Sequence, residues 1–189
     1  STRLGEITKQ TPKILLEIGN KPILDWQLEK IKSVGVKEVV LAAGHLADEL
    51  YDAVGTERLG LNLIYAIEDK RLGTGGAIKH GMEYLTEPDE PTWVLNGDIL
   101  YTIDFGKMAS ELKPDSDGII LAQQVDDAST YGTLEYNDEN KLLAFKEKEG
   151  LEKPGFINGG LYLFNSRAKK YFPDEDAFSV EYDVFPNMK

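Results

Sequence analysis

The side chains best suited to chemistry in this sequence are one carboxylate, two cations and two glycine-rich segments. Asp98 closes Leu95-Asn96-Gly97-Asp98, just after the strand pattern 92–96, and Gly97 is expected to let the backbone turn there. In open α/β sheets, ligands bind beyond the carboxyl ends of strands. A lone carboxylate at such a place suits Mg²⁺, which takes one or two carboxylates and completes its shell with water and phosphate oxygens. Starting a turn is the plainer use of the same residue. Arg3 and Lys13 flank a short polar stretch, and Pro12 fixes the backbone just ahead of Lys13. A guanidinium fork and an ammonium point charge could clamp phosphates, or simply be solvated surface cations.

Leu72-Gly73-Thr74-Gly75-Gly76-Ala77 follows the apolar run 61–67 and opens a helical pattern. Glycine permits close backbone approach, and a helix amino end offers N–H groups to an acceptor. The dinucleotide fingerprint is absent, because Ile78 stands where its third glycine is needed, and no Gly-Lys-Ser/Thr makes a P-loop. An ordinary glycine turn would read the same way. Asn158-Gly159-Gly160 interrupts the apolar segment 156–164, where glycines mark a bulge or the close approach of a ligand or another backbone. Glu147-Lys148 ends an alternating segment that could equally be a charged edge strand. His45 and His80 are the only histidines and there is no cysteine. That excludes a disulfide framework, a thiolate metal site and a cysteine nucleophile, and leaves no support for a Ser-His-Asp arrangement.

The elements that must hold these residues follow from periodicity. Segment 22–34 reads as a helix, with proline at its start, Leu24, Leu28 and Ile31 on one face, and Gly35 at its end. Continuous apolar strands are expected at 36–43, 61–67, 92–96 and 118–125, and helices at 46–54, 74–85 and 104–112, with Thr74 and Asp104 as caps. Strand and helix alternate through short loops, the pattern of a Rossmann-like, mostly parallel sheet flanked by helices. After residue 130 the pattern changes to a hairpin, 132–136 and 141–147 around Asn137-Asp138-Glu139-Asn140, and a strand at 156–164. The fold class expected is therefore α/β with a β-rich insert. A length of 189 residues supports one domain over 1–189, with a nucleotide-type half at 1–130 and a second part at 131–189.

The net charge is −12, yet residues 1–21 carry Arg3, Lys9, Lys13 and Lys21 against Glu6 and Glu17. An acidic chain makes a poor nucleic-acid binder, and a local positive stretch within it suggests a small anionic ligand. No apolar run approaches the ~20 residues of a membrane helix. The absence of cysteine fits a reducing, cytoplasmic setting, and a homo-oligomer is left open.

Taken in order, these segments resemble the sugar-1-phosphate nucleotidyltransferases. Ser1-Thr2-Arg3-Leu4 resembles the end of that family's G-G-x-G-T-R-L, Pro12-Lys13-Ile14-Leu15 its P-K-x-L, and Leu72 to Ala77 its base-binding L-G-T-[AG]-G-A. Leu95 to Asp98 resembles the x-x-G-D metal element. Tyr131-Gly132, Phe145-x-Glu147-Lys148 and Ile157 to Tyr162 resemble the sugar-phosphate side, and Ser179 to Pro186 the stretch S-[IL]-E-x-[DE]-x-[FL]-P. The resemblance implies transfer of a nucleotidyl group from a nucleoside triphosphate to a sugar 1-phosphate, with Mg²⁺ as cofactor and pyrophosphate released. Arg3 and Lys13 would be the catalytic cations and Asp98 the metal ligand. Thr2, Gly73, Thr74 and Gly75 would hold the nucleotide, and Gly132, Glu147, Lys148 and Asn158 the sugar and its phosphate. The wording of the motifs leans towards GTP with mannose or heptose 1-phosphate. Thymidylyl or uridylyl transfer to glucose 1-phosphate, and a non-catalytic nucleotide-sugar-binding subunit, are the alternatives. Against the family pattern, Ser1 stands in a glycine position, and the first strand and a later metal aspartate are missing, so the chain is expected to be truncated at both ends. Asp183 is a weak substitute for that aspartate.

Overall fold

The computed structural model describes residues 11–146, 148, 150 and 152–188. The described chain forms two compact units that interleave along the sequence. The first takes the chain up to Arg71, His80–Thr86 and Asn96–Ser110, and the second takes Leu72–Lys79, Glu87–Leu95 and the chain from Glu111 onward.

In the first unit, Pro22 is the N-cap of α1 (Ile23–Lys32), its φ of −55° already close to the helical value. Leu24, Leu28 and Ile31 are buried at the predicted spacing. Lys30 and Lys32 occupy the last turn, where the helix dipole favours cations. β1 (Glu38–Ala43) and β3 (Leu61–Ile67) pair in parallel from Glu38↔Asn62 to Ala43↔Ile67, with α2 (Ala47–Val54) in the crossover between them. The reading by periodicity passes over β2 (Glu57–Arg58), which pairs antiparallel with the start of β3. The two-residue loop between them, Leu59-Gly60, has both φ angles positive, at 55° and 75°, the conformation that matches strand twist in tight hairpins. Lys32 Nζ donates to the Leu59 carbonyl at 2.5 Å. Arg58 grips the buried Asp25 of α1 with a two-pronged ion pair, Nη2 to Oδ2 at 2.9 Å and Nε to Oδ1. That hydrogen bond raises the arginine pKa further above its usual value.

The second unit is built on β8 (Gly155–Phe164). Its last four residues, Leu161 to Phe164, are almost wholly buried. β4 (Thr92–Leu95) lies along one side of this stretch and β5 (Gly118–Val125) along the other, both antiparallel to it. β4 and β5 therefore run in the same direction, as a strand–helix–strand crossover through α4 (Phe105–Ser110) requires. β8 fills the gap between them, and this is why the observed pairing is mixed, with β1–β3 the parallel pair among the described strands. The α/β class with flanking helices holds. β6 (Thr133–Tyr136) and β7 (Leu142–Lys146) form the expected hairpin, and Asn137 Oδ1 accepts from Glu139 N and Lys141 N in its turn. β6 joins β8 at Thr133↔Ile157.

Candidate active site

The loop after β4 is fixed by residues that periodicity does not single out. Gln27 is buried on the apolar face of α1 and donates its amide to two carbonyls of this loop, Asn96 at 2.9 Å and Ile99 at 2.7 Å. The buried Tyr101 hydroxyl accepts from Asn96 N at 3.2 Å. A polar side chain in the apolar stripe of α1 was the available signal. Gly97 is not in the left-handed region, so the backbone turn does not require glycine for its φ. A Cβ there would lie 3.3 Å from Ile14 Cδ1, so the glycine seats the Lys13–Leu15 turn. Seated in that way, Lys13 Nζ donates to Asp98 Oδ2 at 2.9 Å. The two side chains are 29% and 48% exposed. The sequence thus chose a cation and a carboxylate, 85 residues apart, that the fold brings together.

The second unit carries a different arrangement. Gly73 opens α3 (Gly73–Met82) at a φ of 72°, and Thr74 lies within the first turn. The expected cap at Thr74 is replaced by the chain itself. The Phe178 carbonyl accepts from Gly75 N at 3.0 Å and Gly76 N at 3.4 Å, while Phe178 N donates to the Leu72 carbonyl. A Cβ on Gly75 would sit 2.4 Å from the Phe178 ring, and one on Gly76 would sit 2.1 Å from the Asp176 carbonyl. The close approach that these glycines permit is therefore made by segment 176–180.

Thr74 Oγ1 accepts from Val180 N at 3.0 Å and donates to Glu181 Oε2 at 2.8 Å. Ser179 Oγ donates to the same oxygen at 2.8 Å, and Asn158 Nδ2 donates to Glu181 Oε1 at 3.3 Å. Asn158 sits where β8 bulges: between Ile120↔Tyr162 and Ala122↔Asn158, β8 uses more residues than β5. Gly160 takes a φ of 68°, and its N–H closes the bulge on Asn158 Oδ1 at 2.9 Å. Asn158 Nδ2 also donates to the Tyr162 hydroxyl at 2.7 Å. Burial holds that phenol's pKa well above the usual range, while the Asn158 hydrogen bond pulls the other way and the Glu181 charge adds to the rise. A cleft of about 560 Å³ opens over this network, walled by Gly73, Thr74, Phe145, Ser179, Glu181 and Tyr182. The Phe145 and Tyr182 rings meet edge to face at 5.3 Å.

Of the remaining expected residues, Gly132 lies beneath the Phe145 ring, and a Cβ there would come within 2.6 Å of it. Lys148 is exposed. Thr2, Arg3 and Glu147 lie outside the described residues. Asp183 is occupied as a cap, its Oδ2 accepting from Ser179 N at 2.8 Å. Glu181 and Ser179 stand in a segment that the sequence singles out, but no role is legible for them there. Among the described residues no cluster of three or more His, Cys, Asp or Glu could hold a metal, and no helix is long and apolar enough to cross a membrane.

Comparisons with known proteins converge on one family. The nucleotidyl transferase profile matches residues 1–182. D-glycero-alpha-D-manno-heptose 1-phosphate guanylyltransferase of Campylobacter jejuni is 36% identical over 189 residues, which span all of this chain and 82% of that protein. The mannose-1-phosphate guanylyltransferase catalytic subunit beta of Drosophila melanogaster is 33% identical over 99% of this chain, which spans about half (51%) of that longer protein. The crystal structure of HddC from Yersinia pseudotuberculosis complexed with GMP-PN superposes with a TM-score of 0.78 at 31% identity, covering 95% of this chain and 78% of that one. With the profile matching residues 1–182 and a 36% identical relative spanning the whole chain, this chain belongs to the nucleotidyl transferase family.

Proposed function

We propose that the protein transfers a guanylyl group from GTP to mannose 1-phosphate or a heptose 1-phosphate, giving a GDP-sugar and pyrophosphate. The observation that carries this reading is the exposed Lys13–Asp98 pair beyond the carboxyl end of β4. An ion pair this exposed is worth roughly 0–1 kcal/mol, so an anionic ligand or a cation can exchange with it at little cost. The guanylyl preference is supported by the motif pattern and by the similarity to heptose- and mannose-1-phosphate guanylyltransferases.

In this reading, an oxygen of the sugar 1-phosphate attacks the α-phosphorus in line. The bond to the bridging oxygen of pyrophosphate breaks, and pyrophosphate leaves with that electron pair. The protein's task is to position the reactants and neutralise charge. Lys13 and Arg3 would neutralise charge on the triphosphate as cations. Asp98 is a hard oxygen donor and would hold Mg²⁺ in the mode of one carboxylate plus phosphate oxygens and water. When bound, Mg²⁺ offsets charge on the phosphate oxygens. The glycine turn, with Gly73, Thr74 and Gly75, and Thr2 hold the nucleotide. The Thr74 proton is already given to Glu181, and the Gly75 and Gly76 N–H groups to the Phe178 carbonyl. Gly132, Glu147, Lys148 and Asn158 hold the sugar and its phosphate. A cytoplasmic setting, where both substrates would be at hand, belongs to the same proposal.

The test is pyrophosphate release by the full-length protein with each of four nucleoside triphosphates and a panel of sugar 1-phosphates. GTP with mannose or heptose 1-phosphate is expected to give the highest kcat/KM. Preference for dTTP or UTP with glucose 1-phosphate would replace the guanylyl reading, and no release with any pair would leave a nucleotide-sugar-binding role.

A further inference from the structure

Within the second unit, three neutral donors converge on one carboxylate that no described cation neutralises. Each of those donors has its other polar bonds fixed. Thr74 Oγ1 already accepts from Val180 N, so its single proton has to go to Glu181. Asn158 Oδ1 already accepts from Gly160 N, so its amide group has to be the end facing Glu181 and Tyr162. The hydroxyl of Ser179 accepts from Tyr182 N at 3.4 Å and donates to Glu181. The direction of the three bonds to Glu181 is thus set, each donated to the carboxylate. Glu181 Oε2 holds Thr74 in the glycine turn, and Oε1 holds Asn158 at the β8 bulge. These two residues are 84 positions apart in the chain.

We infer that Glu181 is a positioning residue that locks the nucleotide turn at Thr74 and the sugar-side Asn158 into one rigid arrangement, so that the two substrate sites share one support. The inference rests on the proposed nucleotidyl transfer. Its physical basis is the acceptor capacity of a carboxylate. An ionised glutamate offers about four lone-pair sites and no proton, so it can take three donors at once. Glutamine has nearly the same shape but presents an N–H₂ at one end. Whichever way that amide turns, one of the two tethers meets a donor where it needs an acceptor, and the arrangement has to give on one side. Hydrogen bonds to charged groups are among the stronger ones in proteins. Residues joined in one such network do not behave additively when changed.

The test uses the full-length protein, with KM for GTP, KM for the sugar 1-phosphate, and kcat measured separately. Glu181→Gln is expected to raise both KM values by roughly three- to tenfold, the span of one or two hydrogen bonds, with a smaller change in kcat. Thr74→Val removes the hydroxyl at the nucleotide turn. It is expected to raise KM for the sugar 1-phosphate as well, and to lose that effect when combined with Glu181→Gln. Thr74→Ser keeps the hydroxyl and should restore both KM values. Should Glu181→Gln fail to fold, the sugar-phosphate KM of Thr74→Val decides. A rise there supports the shared support, and a change confined to GTP overturns it. A Glu181→Gln protein that melts at lower temperature with both KM values unchanged would also overturn the inference, since a purely structural role predicts that result. If the wild type releases no pyrophosphate from any substrate pair, the functional reading has failed and this inference falls with it. An active wild type with unmoved KM values in the variants rejects the inference alone.

Discussion

The two units solve different problems with different physics. Around Lys13 and Asp98 the first unit offers opposite charges, partly exposed, on loops held from behind by neutral side chains such as Gln27 and Tyr101. Around Glu181 the second unit offers a hydrogen-bond network of neutral donors on a half-buried carboxylate, with the helix amino end closed by the chain's own Phe178 carbonyl. The first arrangement leaves charge available and contributes little to folding. The second uses up its polar groups internally and fixes geometry. Chemistry that depends on neutralising phosphate charge should therefore be concentrated in the first, and substrate positioning together with stability in the second.

The largest effect that would break this contrast comes from Asp98→Asn. The change is nearly isosteric, and Lys13 would keep an acceptor. If the carboxylate supports the metal, turnover should fall by roughly 10² to 10³, the usual loss for one charge stabiliser. Titrating Mg²⁺ against pyrophosphate release checks it. Equal turnover by wild type and variant at every Mg²⁺ concentration would remove Asp98 from the metal site.

A smaller effect, on stability, separates glycines kept for ligand approach from glycines kept for packing. Gly76→Ala would place a Cβ 2.1 Å from the Asp176 carbonyl, so part of segment 176–180 has to shift. Overpacking of this kind costs roughly 1–3 kcal/mol. Gly81 stands in the same helix with Val40 Cγ1 as its nearest contact at 3.8 Å. There, alanine should instead stabilise by up to about 1 kcal/mol through helix propensity. Urea unfolding of both variants measures the difference. A stable Gly76→Ala protein that has lost GTP affinity would mean that the position serves the nucleotide and not the packing.

These expectations also show where sequence reading stopped. The position of Asp98 just beyond a strand end was legible because a strand end, a glycine and a carboxylate are adjacent in the chain. Helix α1 was legible because its periodicity is local. The insertion of β8 between β4 and β5 was not. Strand–helix–strand alternation fixes the direction of two strands, but it says nothing of a later strand filling the space between them. The glycine turn was read for its freedom, correctly, but what makes use of that freedom is a segment about 100 residues downstream. Glu181 was invisible as a hub because Thr74 is 107 residues away from it and Asn158 is 23. No spacing rule connects such residues before the chain is folded.

A more modest effect tests the division of labour between the substrates. Lys148→Ala should raise KM for the sugar 1-phosphate by roughly five- to tenfold, the loss of one charged contact, and leave KM for GTP near its wild-type value. Thr74→Ala should act first on GTP, with a lesser effect on the sugar phosphate transmitted through Glu181. Steady-state kinetics with one substrate varied at a time measures both. Equal weakening of the same substrate by the two variants would show that the assignment of residues to nucleotide and sugar is wrong.

The smallest expected effect is the contribution of the Lys13–Asp98 pair to folding. With side chains 29% and 48% exposed, the pair is screened by solvent and is worth roughly 0–1 kcal/mol. In a protein of this size that corresponds to at most about 2–4 °C in Tm. The shift should shrink further as salt is raised, because screening shortens the reach of exposed charges. Thr74→Val should lower Tm by more. It leaves the N–H of Val180, a fully buried residue, without the acceptor it has at 3.0 Å, and a buried donor left unpaired costs roughly 1–3 kcal/mol. Thermal denaturation of the two variants at low and high salt makes the comparison directly. The residue whose loss harms the rate most should be the one whose loss the fold notices least. If Asp98→Asn instead melts well below Thr74→Val, then the charged pair is holding the fold, and the separation of charge chemistry from structural positioning drawn between the two units is reversed.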